Sequence, residues 1–388
     1  MPLHIFTSAA RNYWPKVAVL LESVRRFHPD AHLHLALADE WPEHHPHPPQ
    51  LATLLPVSQL PLPNPRAWAF GHTLVELATA IKPFLLEQLL NRADGPVIYL
   101  DPDIQLHAPL APLIDQLDGN TSIILTPHLT HPESDPPAIL DNEGAALKHG
   151  IYNLGFIAVA PDDTGRAFAR WWRQRCTHWC LDDIPQGLFT DQRWCDLVPA
   201  LFPRVHIERA PGYNVAPWNL NQRRITRTPS GGYTVTAADG TSSPLYFYHY
   251  TGWDSGAHHT MAARYGRESP ALPELLDHYQ AACRRHANPD LSAQPWYYGN
   301  YSDGETIPLA ARRIYRTRPD LQARYPDPYD VAPPDNYRRW YQHHGEHQTL
   351  PAAIARPSLW QQLPTLSRLL PHARLLLSGL RRRLRQRL

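Results

Sequence analysis

Apolar positions along the chain alternate between strand-like runs and helical spacing. Leu3 to Ser8 (L-H-I-F-T-S) reads as a short strand ending in Thr7 and Ser8, and Tyr13 to Phe27 then carries apolar residues at helical intervals. A second strand, His32 to Ala38, precedes a loop rich in proline and histidine. This β-α-β order opens a parallel, nucleotide-binding type of sheet. Thr73 to Asn91 reads as a helix broken or bent at Pro83, and Val97 to Asp101 follows as the near-continuous apolar run of a buried parallel strand. Ser122 to Thr126 and Ile151 to Val159 are further strands, and Ala167 to Trp179 is a helix. Beyond these, Gly231 to Thr241 reads as a hairpin and Pro244 to Asp254 as a last core strand ending at a glycine. The pattern predicts an α/β fold: a sheet domain flanked by helices over residues 1–258, then a helical, Pro/Tyr/Arg-rich C-terminal region over 259–388.

One strand end carries unusual chemistry. In V-I-Y-L-D-P-D-I-Q-L, Val97 to Leu106, Asp101 and Asp103 interrupt an apolar run. Ligands of open α/β sheets collect at the carboxyl ends of strands. Two carboxylates one residue apart can converge on a hard divalent cation there, and the cation offsets the cost of burying them. A solvent-exposed Asp-Pro-Asp turn is the plainer reading of the tripeptide alone.

Composition narrows the alternatives. With 388 residues, 43% of them hydrophobic, the chain can bury a sizeable core. A formal net charge of +1, from 37 basic and 36 acidic residues, argues against general nucleic-acid binding. The four cysteines form neither a C-x-x-C pair nor a regular spacing, so a reduced, cytoplasmic protein is expected. No leader-like N-terminus and no apolar run of membrane-spanning length is found in the sequence. His44 to His47 (H-H-P-H) is read as loop composition, not a metal site.

The company of the Asp pair carries more. A-I-K-P-F (Ala80 to Phe84) precedes Y-L-D-P-D, and Y-N-L-G-F-I-A-V, T-D-Q-R-W (Thr190 to Trp194) and Y-H-Y-T-G-W follow in that order. Over roughly residues 3 to 255 the set resembles the GT-A fold (Rossmann-like) glycosyltransferases. It is most similar to the retaining family that includes glycogenin and the bacterial lipopolysaccharide galactosyl- and glucosyltransferases. The resemblance implies a mixed sheet and a metal-dependent transfer of a sugar from a nucleotide-diphosphate donor, a UDP-sugar, to an acceptor hydroxyl. It implies a glycan, lipid-linked or protein acceptor in bacterial surface glycan or glycoconjugate synthesis.

Residue by residue, the resemblance assigns Asp101, Asp103 and His249 to the metal, with Asp101 also bridging to the ribose. An imidazole beside two carboxylates suits Mn²⁺ better than a pure Mg²⁺ site. Thr7 and Ser8 match the uridine-contacting position, Tyr13 the base, and Lys82 the ribose or phosphate region. Asn153 and Gly155 match a sugar-lining N-x-G. Asp191 would hold sugar hydroxyls, and the amide oxygen of Gln192 would stabilise an oxocarbenium-like transition state in a front-face substitution. Asn214, Trp218, Gly252 and Trp253 fall where donor or acceptor contacts are expected.

One departure stands out. The family follows H-x-x-G with a lysine and Pro-Trp, whereas here W-D-S-G-A-H-H-T follows, which leaves His258, His259 or Arg264 as candidates for the missing phosphate cation. Two other readings remain: a sugar nucleotidyltransferase, although T-S-A-A-R-N-Y-W-P lacks the Gly-rich loop it needs, and a non-catalytic sugar-nucleotide-binding protein. Leu363 to Leu388 mixes leucine with arginine at roughly helical spacing. Such a basic amphipathic helix suits peripheral contact with the inner face of the cytoplasmic membrane.

Overall fold

The computed structural model describes residues 1–345 except 93 and 118. The basic amphipathic segment at the C-terminus lies outside the described residues. The strands are β1 (His4–Ala9), β2 (His32–Leu37), β3 (Leu51–Pro56), β4 (Val97–Leu100), β5 (Ile104–Leu106), β6 (Ile123–Pro127), β7 (Tyr152–Val159), β8 (Leu181–Asp183), β9 (Leu188–Thr190), β10 (Val205–Ile207), β11 (Arg223–Arg227), β12 (Tyr233–Ala237), β13 (Ser242–Pro244) and β14 (Phe247–His249). Seven of them form the main sheet, in the order β10-β6-β7-β4-β1-β2-β3. The sheet is mixed: β4, β1, β2 and β3 run parallel, and β7 runs antiparallel to both β4 and β6.

The alternation of side chains across the pleat explains why these runs are apolar throughout. Ile5, Ile98, Leu100, Ile124 and Phe156 face one layer, where Val17, Leu20, Leu21 and Val24 present the buried stripe of the helix Trp14–Phe27. Phe6, Val97, Tyr99, Leu125 and Ile157 face the other, against the helices Lys82–Arg92 and Asp163–Trp179. Asp162 caps the latter helix by accepting from the Gly165 N–H at 2.8 Å.

Four expectations are corrected. The Pro/His-rich stretch after β2 ends in an edge strand, β3, and the helix Pro65–Phe70 follows it. The predicted helix breaks at Ile81, not Pro83: Thr73 and Glu76 form a reciprocal capping box on Leu74–Ala80, and Pro83 occupies the first turn of Lys82–Arg92. A proline costs no hydrogen bond there. The hairpin is a three-stranded antiparallel meander, β11-β12-β13. The predicted last core strand is no member of the main sheet: β14 pairs antiparallel with β5, placing His249 opposite Ile104.

The boundary expected at residues 258 and 259 falls inside the helix Ala257–Tyr265, and residues 1–345 belong to one compact unit. Tyr298, Tyr301, Tyr315, Tyr325, Tyr329 and Tyr337 of the C-terminal region are core residues. Tyr315, Tyr329 and Tyr337 surround Phe70 with ring centroids 5.0, 5.0 and 5.4 Å away. Buried Arg312 donates to the carbonyls of Phe70, His72, Tyr298 and Gly299. The described part of the region, residues 259–345, is helical, as expected, and packs into the core around Phe70.

Candidate functional site

The chain leaves β4 at Leu100, and the Asp101 N–H donates to the carbonyl of Gly155 at 2.8 Å. A tight turn through Pro102 follows, closed by the Ile104 N–H on the Asp101 carbonyl at 3.0 Å. The chain then enters β5, whose antiparallel partner β14 delivers His249 to the turn. Nε2 of His249 lies 3.1 Å from Asp103 Oδ1 and 3.7 Å from Asp101 Oδ2. One ligand atom from each of Asp101, Asp103 and His249 falls within 4.8 Å of the other two. Two carboxylates and an imidazole are a donor set that fits a divalent cation of the Mn²⁺ type.

Burial alone would push the His249 imidazole down, but the charge and hydrogen bond of Asp103, with Asp101 behind it, hold its pKa above the ordinary 6.5. Burial likewise opposes ionisation of Asp103, yet His249 keeps that carboxyl below its usual range. Each group thus favours the charged form of the other. Gly155 makes room for it: a Cβ there would stand 2.5 Å from His249 Cε1 and 2.8 Å from Nδ1. The ring of Trp218 meets His249 edge-on, with centroids 5.4 Å apart.

Behind the trio, Lys82 bridges two carboxylates. Its Nζ is 3.2 Å from Asp101 Oδ1 and 3.2 Å from Asp191 Oδ2, and it also donates to the Leu154 carbonyl. The Lys82 ammonium is thus engaged by the two aspartates, and its side chain also lines the cavity beside them. Burial opposes the Lys82 charge, but Asp101 and Asp191 outweigh it and raise its pKa. Burial, joined by the charge of Asp101, pushes Asp191 upward against the pull of Lys82. Tyr99 completes the set by donating its hydroxyl to Asp101.

A cavity of about 230 Å³ opens beside the trio, lined by Ser8, Tyr13, Ala78, Lys82, Asp101 and Asp103 among others. A larger one, of about 490 Å³, is lined by Gln105, Leu106, Tyr233 and Glu274 among others and includes none of these carboxylates. Its Arg227 and Arg285 are spent on Glu274 and Glu22.

The other expected residues divide. Ser8 lines the cavity, with its hydroxyl on the Ala78 carbonyl at 2.7 Å and 3.1 Å from the Tyr99 hydroxyl. Thr7 does not: it sits within β1 and its Oγ1 is buried away from the cavity, because neighbouring side chains of a strand point to opposite faces. Asn153 accepts from the Gly155 N–H at 3.1 Å and from Asn214 Nδ2 at 3.0 Å. Asn214 holds this position with a left-handed φ of 51°, which asparagine tolerates. Asp191 precedes the helix Gln192–Cys195 without capping it. The Gln192 amide oxygen accepts from the Leu154 N–H at 3.0 Å and its nitrogen donates to the His149 carbonyl at 3.0 Å. In this conformation that oxygen accepts one hydrogen bond, from the Leu154 N–H, and keeps a second lone pair. Gly252 makes the turn after β14 at φ 71°, and Trp253 packs on Tyr279 with centroids 5.1 Å apart; neither lines the cavity.

Of the three candidates for a phosphate cation, two are engaged elsewhere. Burial pushes His258 down to about 4, and its Nδ1 faces the Thr251 carbonyl at 3.1 Å. Arg264 pairs with Asp141 at 2.6 Å. His259 packs against Trp253 with ring centroids 4.6 Å apart and planes tilted by 51°. Sequence reasoning missed Lys16, on the first turn of the helix after β1, and Asp254 on the turn after β14, which pair at 2.5 Å. The first turn after a parallel strand faces the ligand end of the sheet, and that signal was available.

No protein-family model matches the chain. It is 30% identical over 182 residues to the uncharacterized protein YfnF of Bacillus subtilis (strain 168), covering 46% of this chain and 57% of that protein. It is 24% identical over 260 residues to the uncharacterized protein YfnD of the same organism, covering 64% of this chain and 78% of that protein. The chain thus spans little more than half the length of the first of these relatives. Among solved structures, a glycosyltransferase involved in glycosylation of the major capsid of PBCV-1 matches 67% of this chain and 99% of its own, at 10% identity and a TM-score of 0.36. The galactosyltransferase LgtC, solved with donor and acceptor sugar analogs, matches 68% of this chain and 96% of its own, at 17% identity and a TM-score of 0.36.

Proposed function

We propose that the protein is a metal-dependent glycosyltransferase of the GT-A type, moving a sugar from a nucleotide-diphosphate donor, a UDP-sugar, to an acceptor hydroxyl. The observation that carries this reading is the convergence of Asp101, Asp103 and His249 at the carboxyl end of β4, beside a cavity. A divalent cation held by these three side chains supplies Lewis-acid stabilisation of the diphosphate leaving group.

The chain's own groups do the rest. Ser8 and Tyr13 border the cavity next to the carboxylates and receive the nucleoside. Lys82 fixes Asp101 and Asp191 in place, and Asp191 holds hydroxyls of the donor sugar. Asn153 and Asn214, bonded to each other, line the sugar side. The transfer is retaining by front-face substitution, in which the leaving phosphate helps take the acceptor proton. A double displacement would need a nucleophile on the far face of the sugar, and the Gln192 amide, bonded to Leu154 and His149, is too poor a one. The acceptor belongs to a surface glycan or glycoconjugate.

Incubation with a panel of UDP- and GDP-sugars and Mn²⁺ tests the reading through release of the nucleoside diphosphate. Turnover of at least one donor, abolished by EDTA, is expected. Neither binding nor turnover with any donor would overturn it, and an inverted anomeric configuration in the product, read by proton NMR, would overturn the retaining assignment.

A further inference from the structure

The site as described is rich in negative charge. Asp101, Asp103 and Asp191 meet one lysine, Lys82, whose ammonium is already shared by two of them. A ligand that brings two phosphates to the trio needs another cation nearby. Lys16 is placed for that purpose. Its side chain is only 8% exposed, its Nζ lies 4.0 Å from the centroid of the Tyr13 ring that borders the cavity, and its charge acts on Asp103.

An ammonium has three donors. Among the described residues, Lys16 gives one of them to Asp254, whose side chain is 59% exposed. A buried cation held by one exposed carboxylate is an unusual assignment of partners, because the carboxylate can return to water at little cost while the cation cannot. Asp254 lies on the same turn as Gly252, directly after the strand that delivers His249, so His249 and the partner of Lys16 sit on one short segment.

We propose that Lys16 is the phosphate-binding cation of this site, and that Asp254 holds its ammonium beside Asp103 until the donor's phosphates displace the carboxylate. The inference rests on the reading of the site as a nucleotide-sugar site. Lys16 meets the phosphates after Asp254 has swung to solvent, and Asp254 re-engages Lys16 when the nucleoside diphosphate leaves.

The test uses the full chain and four probes: Mn²⁺ alone, and UDP, uridine and GDP each with Mn²⁺, all titrated calorimetrically. Lys16→Met is expected to bind Mn²⁺ and uridine like the parent protein but UDP roughly tenfold to a hundredfold more weakly, the loss of one charge-assisted contact. Retained Mn²⁺ binding shows that the variant site is folded, and Lys16→Arg recovers most of the UDP affinity. Asp254→Asn binds UDP at least as tightly as the parent, since no carboxylate competes for the ammonium. Equal UDP affinity in Lys16→Met and parent overturns the role of Lys16. Weakened UDP binding in Asp254→Asn overturns the exchange. If the parent protein binds no UDP with Mn²⁺ and no GDP in its place, the nucleotide-sugar reading itself fails, and Lys16 with it.

Discussion

Gly155 and His249 occupy one space: a Cβ on Gly155 would lie 2.5 Å from the imidazole Cε1. The glycine of the Y-N-L-G strand therefore makes room for the imidazole proposed as a metal ligand. Gly155→Ala is expected to push the ring off Asp103 and weaken Mn²⁺ binding by about tenfold to a hundredfold, as displaced orientation of a ligand does. Mn²⁺ titration followed by electron paramagnetic resonance reads this directly, and unchanged affinity would contradict the placement.

The Asp101–Lys82–Asp191 triad is a buried ion cluster, and such clusters are costly to break on one side only. Lys82→Met leaves two carboxylates without their cation and is expected to cost about 3–5 kcal/mol of stability in urea unfolding. Adding Asp191→Leu to that variant should recover part of the loss, because the second change removes a stranded charge. A single-variant cost under about 1 kcal/mol would mean that the triad is solvated, as surface pairs are.

Acid should destabilise the fold through buried neutral histidines. Burial pushes both His34 and His107 down to about 3 from the ordinary 6.5, with His4 and His32 adding to the effect on His34 and Arg26 to that on His107. Below pH 6.5 the unfolded chain binds a proton at each position that the folded protein refuses until about pH 3. Stability is therefore full above that window and falls as pH drops through it, by about 1.4 kcal/mol per pH unit per histidine. His34→Gln should remove one histidine's share of the slope in denaturation series between pH 6.5 and pH 4; an unchanged slope would contradict its neutral burial.

What could be read from sequence follows physical lines. β4 and β7 were legible because strands buried on both faces are apolar at every position, and the helix Trp14–Phe27 because its stripe repeats at helical spacing. β3 was hidden: L-A-T-L-L-P is a half-exposed edge strand that ends in proline, and its surroundings read as loop. β14 was assigned to the wrong sheet because its partner is the three-residue β5, too short to carry a pattern. The tyrosines from Tyr298 to Tyr337 looked like loop composition but pack around Phe70, a relationship between distant segments that no local window contains.

The site divides in the same way. The convergence of Asp101, Asp103 and His249 was legible from motif order, because residue types able to hold a cation fall at neighbouring strand ends. The Lys82 bridge and the Lys16–Asp254 pair were not, since each joins separate segments and depends on which carboxylate faces which amine. Thr7 and Ser8 could not be separated without the register of β1, which decides which of two adjacent side chains faces the cavity.

The central claim is that Asp101, Asp103 and His249 bind a divalent cation on which nucleotide-sugar binding depends. Calorimetric titration of UDP into the parent protein and Asp103→Asn, each with Mn²⁺ and with EDTA, tests it most directly. The account predicts tight binding only to the parent with Mn²⁺, with EDTA and the substitution each reducing affinity by at least about tenfold. Equal UDP affinity in Asp103→Asn, or in EDTA, would contradict it.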